Sequence, residues 1–208
     1  MLKDNNFTEG EAFPIVEDFY TIQGEGFHTG KPAYFIRIGG CDVCCSWCDV
    51  KVSWNPTIHP IGTVKQIVDK ALSFPARAVV ITGGEPLLYN LDVLCETLKL
   101  NKFEIFLETS GAHTLSGTWD WICLSPKKNS PPVEELFQKA NELKVVIDSE
   151  LDFSWAEYCK NNVSDTCKLY LQPEWGIYKT KLPIIIDYIK NNPRWSISLQ
   201  TQKFMHIP

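Results

Sequence analysis

Apolar residues along this chain fall into two patterns that alternate from one end to the other. Short, largely apolar runs occur at Tyr34 to Ile38, Ala78 to Thr82, Phe103 to Leu107, Trp121 to Leu124, Leu143 to Ile147, Leu169 to Leu171 and Trp195 to Leu199. Tyr34 to Ile38, continuous apart from one arginine, reads as a buried strand, Ala78 to Thr82 as a short apolar strand, and the remaining runs as further strands. Between them apolar residues recur at helical spacing: Val64, Ile67, Val68, Ala71 and Leu72; Leu91, Leu94, Cys95 and Leu98; Val133, Leu136, Phe137 and Ala140. Trp155, Tyr158 and Cys159, within Asp152 to Lys160, and then Ile184, Ile185, Tyr188 and Ile189 continue the series. Thr63 and Gln66 frame a capping box, and Pro132 marks a helix start.

Strand followed by helix, repeated, implies parallel strands joined by right-handed crossovers. The expected fold is α/β: an incomplete TIM-type barrel of about six parallel strands, helices outside, open on one side. Polar signatures follow strand after strand: a cysteine cluster, Gly83-Gly84-Glu85-Pro86, Glu108-Thr109-Ser110-Gly111, Ser125-Pro126-Lys127, Gln172-Pro173 and Gln200-Thr201. In a parallel barrel the carboxyl ends of the strands share one face, where active sites are built.

Composition narrows the class. A chain of 208 residues is long enough for one core, so a single domain over 1–208 is expected, with residues 1–16 as a mobile tail. Met1 to Glu11 lacks the basic and then apolar profile of a signal peptide, and no apolar run is long enough for a bilayer. A cytoplasmic setting follows, in which eight cysteines stay reduced and available for metal. The net charge of -5 gives no footprint for nucleic acid, so a small-molecule substrate is expected.

The chemistry concentrates in Cys41, Cys45 and Cys48, spaced C-x-x-x-C-x-x-C. Three thiolates on one loop can hold three irons of a cubic cluster and leave the fourth open for a substrate. A zinc knuckle or redox pair would use the same residue types, and spacing alone leaves open the set Cys41, Cys44 and Cys48. Cys95, on a helical stripe, reads as core. Thr21 to Phe27 reads either as a glycine turn or as a loop lying against a flat ligand, with Gln23 and Glu25 as its polar edge. Arg37, inside an apolar strand, requires an anionic partner, structural or substrate.

Together these residues resemble the radical S-adenosylmethionine enzymes, and within them the 7-carboxy-7-deazaguanine synthase family of the queuosine pathway. The cysteine spacing and Gly83-Gly84-Glu85-Pro86 mark the superfamily. Thr21-Ile22-Gln23-Gly24-Glu25-Gly26, Ser125-Pro126-Lys127, Gln200-Thr201-Gln202-Lys203 and Pro208 mark the family. A zinc site explains none of the motifs outside the cysteine loop. The resemblance covers about Glu17 to Pro208.

The resemblance implies a 4Fe-4S cluster on Cys41, Cys45 and Cys48 whose open iron takes S-adenosylmethionine, with 6-carboxy-5,6,7,8-tetrahydropterin as substrate. Ring contraction with loss of ammonia would give 7-carboxy-7-deazaguanine. By the same resemblance Asp49, Gly84, Glu85, Thr109, Ser110, Ser125, Pro126, Lys127, Gln172 and Pro173 line the S-adenosylmethionine site. Ile22, Gln23, Gly24, Glu25, Arg37, Thr82 and the carboxylate of Pro208 would hold the pterin, with Glu25 and Arg37 closest to the chemistry. The resemblance further implies a homodimer, flavodoxin or ferredoxin as electron donor, and Mg2+ near the substrate carboxylate. Two positions depart from the family pattern: Val50 stands where it has Thr, and Gln202 where it has His. The first removes a magnesium ligand. The remaining alternatives are a radical activase acting on a protein glycine, and a non-catalytic iron-sulfur protein.

Overall fold

Val79, Val80 and Ile81 are wholly buried because each face of their strand meets a different layer. In the computed structural model, which describes residues 10–208, Val79 and Ile81 pack into the main core beneath the helices. Val80 and Ala78 face inward against Ala33 and Phe106. Burying each such aliphatic side chain contributes roughly 1.5–3 kcal/mol, which is why the strand carries no polar alternation.

Strand β1 is Ala12–Ile22, β2 Pro32–Ile38, β3 Ile61–Thr63, β4 Ala78–Gly83 and β5 Glu104–Thr109. β6 is Trp121–Leu124, β7 Glu142–Ile147, β8 Lys168–Pro173 and β9 Trp195–Ile197. They form one sheet in the order β3-β1-β2-β4-β5-β6-β7-β8-β9. From β2 through β4 to β9 every pairing is parallel, whereas β1 runs antiparallel to both β2 and β3. Among the described residues β3 and β9 are the two edges of this sheet and do not pair with each other, so the barrel is incomplete.

The helices are α1 Val64–Leu72, α2 Asp92–Leu100, α3 Glu134–Lys139, α4 Leu151–Lys160, α5 Tyr178–Asn191 and α6 Thr201–Met205. α1 begins at the capping box: Thr63 accepts from the Gln66 amide, and the Gln66 side chain accepts from the Thr63 N–H. Such a cap contributes about 1 kcal/mol, and Val64, Ile67, Val68 and Ala71 then bury one face. Among the described residues no helix is long and apolar enough to cross a membrane.

Several local expectations change. Ala12 to Val16, expected in a tail, belong to β1, while residues 1–9 of that tail lie outside the described residues. Pro132 precedes α3, which begins at Glu134 with Val133 as its cap residue. Tyr158 and Ile184 are exposed rather than inward, because α4 and α5 turn Ala156, Cys159 and Ile185 to the core. Leu72 is likewise exposed at the end of α1.

Candidate active site

The carboxyl ends of the parallel strands converge on one open cavity. β2 ends at Ile38, and Gly39-Gly40 leads into the cysteine loop, whose Cys41, Cys45 and Cys48 all line that cavity. Cys44 does not line it. Its backbone is left-handed, at φ 50°, and its exposed thiol turns to the Cys41 carbonyl at 3.5 Å. Of the two cysteines that spacing leaves equivalent, Cys45 lines the cavity and Cys44 does not.

The loop is held from several sides. The Glu85 amide donates to the Gly40 carbonyl at 2.8 Å and the Asn129 side chain to the Val43 carbonyl at 2.7 Å, while His113 meets Asp42 at 3.0 Å. Gly84 packs directly beneath it. A side chain there would place Cβ 2.4 Å from the Gly40 oxygen and 2.6 Å from the Cys41 Cβ, so the strand end can pass under the loop only as glycine.

Among the described residues no three His, Cys, Asp or Glu side chains converge closely enough to hold one metal ion. Three cysteines serving three irons of a cluster need not meet at one point, and all three here are free and partly exposed to the same cavity. That donor set fits a three-ligand cluster. Burial pushes the Cys45 thiol up, and the nearby Lys127 charge pulls it back toward the thiolate that iron requires.

The wall beside the cysteines carries Gly84, Thr109, Ser110, Ser125, Lys127, Gln172 and Pro173, with Asp49 at the rim. Lys127 donates to the Ser125 hydroxyl at 2.7 Å and lies 5.3 Å from the Trp47 ring centroid.

Two residues expected on this wall are placed elsewhere. Pro126 is buried behind it, its carbonyl accepting from Trp155. Glu85 is wholly buried and does not reach the cavity. Its carboxylate accepts from the Leu87 amide at 3.0 Å, the Thr109 hydroxyl at 2.6 Å, and the Ser110 amide and hydroxyl at 2.8 and 2.5 Å. Glu85 thus shapes the wall through Thr109 and Ser110, because every acceptor direction of its carboxylate is already used.

The opposite side is built by the loop after β1. Ile22, Gln23, Gly24 and Glu25 all line the cavity. The backbone does approach a neighbour closely at Gly24, but that neighbour is α6: an added Cβ would stand 2.0 Å from the Gln202 Oε1. Thr201 also donates to the Gly24 carbonyl through its amide at 3.0 Å and its hydroxyl at 2.8 Å. Glu25 is the hub of this side. Lys144 reaches its Oε2 at 2.8 Å and Gln172 at 3.1 Å, while Gln200 and Gln202 each reach its Oε1 at 3.0 Å. Burial alone would raise its pKa, but the Lys144 charge and these hydrogen bonds hold it down at about 2.

Arg37 and Thr82 sit in register on adjacent strands, and both face the cavity. Arg37 also has a structural partner, one of the two kinds of anion that its place in an apolar strand requires. Glu17, directly across the β1–β2 ladder, accepts from its Nε at 2.7 Å. Val50 and Pro208 complete the lining at this end.

Lys144 and Glu108 also face the cavity, from β7 and β5; Glu108 stands in a strand-end signature without an assigned role, and Lys144 in none. The signal for Lys144 is a lysine inside an otherwise apolar strand, the same kind that marks Arg37.

Several known proteins are similar to this chain. Residues 35–124 match the model of the Radical SAM superfamily. The chain is 51% identical over 200 residues to a 7-carboxy-7-deazaguanine synthase from Flavobacterium psychrophilum, covering 96% of this chain and 95% of that one. It is 45% identical over 196 residues to one from Synechocystis sp., covering 94% of each. The crystal structure of QueE from Escherichia coli is similar at a TM-score of 0.80 and 29% identity, over 93% of this chain and 96% of that chain. Near-complete coverage by such relatives, on a barrel whose strand ends carry the three cysteines, means that the chain belongs to the 7-carboxy-7-deazaguanine synthase family of the radical SAM superfamily.

Proposed function

We propose that this chain converts 6-carboxy-5,6,7,8-tetrahydropterin to 7-carboxy-7-deazaguanine and ammonia. The observation that carries the reading is one cavity with cysteine thiols at one end and a polar wall of Gln23, Glu25, Glu108, Arg37 and Thr82 at the other. Substrate and products differ only by the ammonia lost, so the reaction is redox-neutral. A 4Fe-4S cluster with S-adenosylmethionine supplies, when bound, the one-electron chemistry that starts the rearrangement.

The protein's part is binding, orientation and exclusion of water. Cys41, Cys45 and Cys48 hold the cluster. Gly84, Thr109, Ser110, Ser125, Lys127, Gln172, Pro173 and Asp49 form the S-adenosylmethionine side, with Glu85 bracing Thr109 and Ser110. Arg37 offers its terminal nitrogens to the substrate carboxylate while Glu17 holds its Nε, fixing the guanidinium plane. Ile22, Gln23, Gly24, Glu25, Thr82 and Pro208 surround the ring. Cytoplasmic location, a homodimer, and a flavodoxin or ferredoxin as reductant complete the reading.

Carboxypterin, a pterin lacking the carboxylate, and a glycine-containing peptide, each supplied to reconstituted protein with dithionite and S-adenosylmethionine, test the substrate. Only the first should be consumed. Consumption of the peptide instead would favour the activase alternative.

The residues fit magnesium poorly. Val50 offers no side-chain oxygen, and the buried Ser53 hydroxyl donates to the Val50 carbonyl at 2.7 Å. Asp49 already accepts from Lys203 at 2.8 Å and Gln200 at 3.2 Å. Magnesium requires near-octahedral oxygen coordination, so turnover should change less than about twofold between chelated and millimolar metal. Val50→Thr should introduce a magnesium response. Strong activation of the unmodified enzyme would show that another oxygen serves.

A further inference from the structure

Two carboxylates of the cavity share one buried cation. The Lys144 Nζ lies 2.8 Å from Glu25 Oε2 and 2.9 Å from Glu108 Oε2, with its side chain 6% exposed. The placement follows from the pleat: Lys144 and Val146, two residues apart on β7, both face the barrel interior, and Lys144 sits in register with Tyr170 of β8. Burial opposes the charge on Lys144, but the surrounding acids outweigh it and hold its pKa well above the usual value.

The two carboxylates differ in what remains free. Glu25 receives four donors from its own chain, which fills the roughly four acceptor positions of a carboxylate. Glu108 receives Lys144 on one oxygen and the Gln23 amide at 3.3 Å on the other, with Cys123 in register beside it on β6. It keeps acceptor capacity toward the cavity.

We propose that Lys144 is a positioning residue for the pterin site, fixing Glu25 and Glu108 on one wall as anions and so setting the cavity's affinity for an N–H-rich ring edge. This inference rests on the substrate reading above. Two carboxylates and one ammonium leave a net negative charge, which suits the amino-pyrimidine edge of a pterin and disfavours a second anion there. The other titratable groups around Lys144 are Cys123 on β6, Glu142 on β7 and Lys127 after β6. Burial raises the Glu142 pKa above its ordinary value.

Titration of 6-carboxy-5,6,7,8-tetrahydropterin into anaerobically reconstituted Lys144→Met and Lys144→Arg tests the proposal. The Met variant should bind the pterin at least about tenfold more weakly, as loss of charge-assisted contacts implies. Its S-adenosylmethionine affinity and iron content should stay at parental levels, and the Arg variant should recover most of the pterin affinity.

The pH profile supplies a second readout. In the parent Glu25, with its pKa near 2, remains ionised throughout the mildly acidic range, so its own titration should contribute no change in affinity there, and the parent profile serves as the reference for the variant. In Lys144→Met burial is no longer opposed by the ammonium, the carboxylate pKa rises, and affinity should fall progressively as pH drops from about 7.5 to about 5.5. Parental pterin affinity in the Met variant at both ends of that range would overturn the proposal. So would joint loss of pterin, S-adenosylmethionine and iron, which would mark a purely structural role.

If Lys144→Met does not fold, Lys144→Met with Glu108→Gln keeps the net charge. That double variant should fold, hold iron and bind the pterin weakly, and parental affinity in it would equally overturn the proposal. Failure of the parent itself to bind the pterin would overturn the substrate reading instead.

Discussion

Cys45→Ala should lose the cluster and all turnover, whereas Cys44→Ala should keep both. The two residues are neighbours, and by spacing either could complete a set with Cys41 and Cys48. Cys45 faces the cavity, while Cys44 points its thiol at the Cys41 carbonyl from an exposed, left-handed position. A cubic cluster held by three thiolates has no spare ligand, so removing one should leave far less than the about four irons per chain of the intact cluster. Iron content and visible absorbance after anaerobic reconstitution read the difference. A full complement of iron in Cys45→Ala together with loss in Cys44→Ala would reverse the assignment.

The largest effect on stability should come from Glu85→Ala. Four donors from Leu87, Thr109 and Ser110 converge on its fully buried carboxylate, and alanine would leave them without that acceptor. Each stranded buried donor costs about 1–3 kcal/mol, with incomplete additivity, so a loss of at least about 3 kcal/mol is expected. Against a usual total of about 5–15 kcal/mol that is a large fraction. Glu85→Gln, which keeps the shape and one oxygen, should lose less. Urea unfolding of the cluster-free chain measures both, and near-parental stability of the alanine variant would mean that these bonds contribute little.

Glu85 also marks where sequence reading reaches its limit. An acid just past a strand end looks like a ligand contact, and only the tertiary arrangement reveals that its own chain occupies it. The parallel strands were legible because double-sided burial writes itself as apolar runs, as at Ala78 to Ile81. β1 was not, although Phe13 is wholly buried, because Pro14, Glu17 and Asp18 interrupt its pattern. β3 has three residues and α6 five, too few to show a period. The cysteine loop and the strand-end motifs were legible since their residue types serve chemistry rather than packing. Lys144 carried a signal as strong as that of Arg37, yet the partners it holds, Glu25 and Glu108, are 119 and 36 residues away and meet only in the closed fold.

The proposed reaction is a redox-neutral ring contraction of a carboxypterin in the cavity that holds the three cysteines. It is tested most directly by counting products from anaerobically reconstituted protein supplied with dithionite, S-adenosylmethionine and 6-carboxy-5,6,7,8-tetrahydropterin. 7-Carboxy-7-deazaguanine and ammonium should appear in equal amounts, each matching the pterin consumed. Cleavage of S-adenosylmethionine at a rate indifferent to the pterin, with no ammonium released, would contradict it.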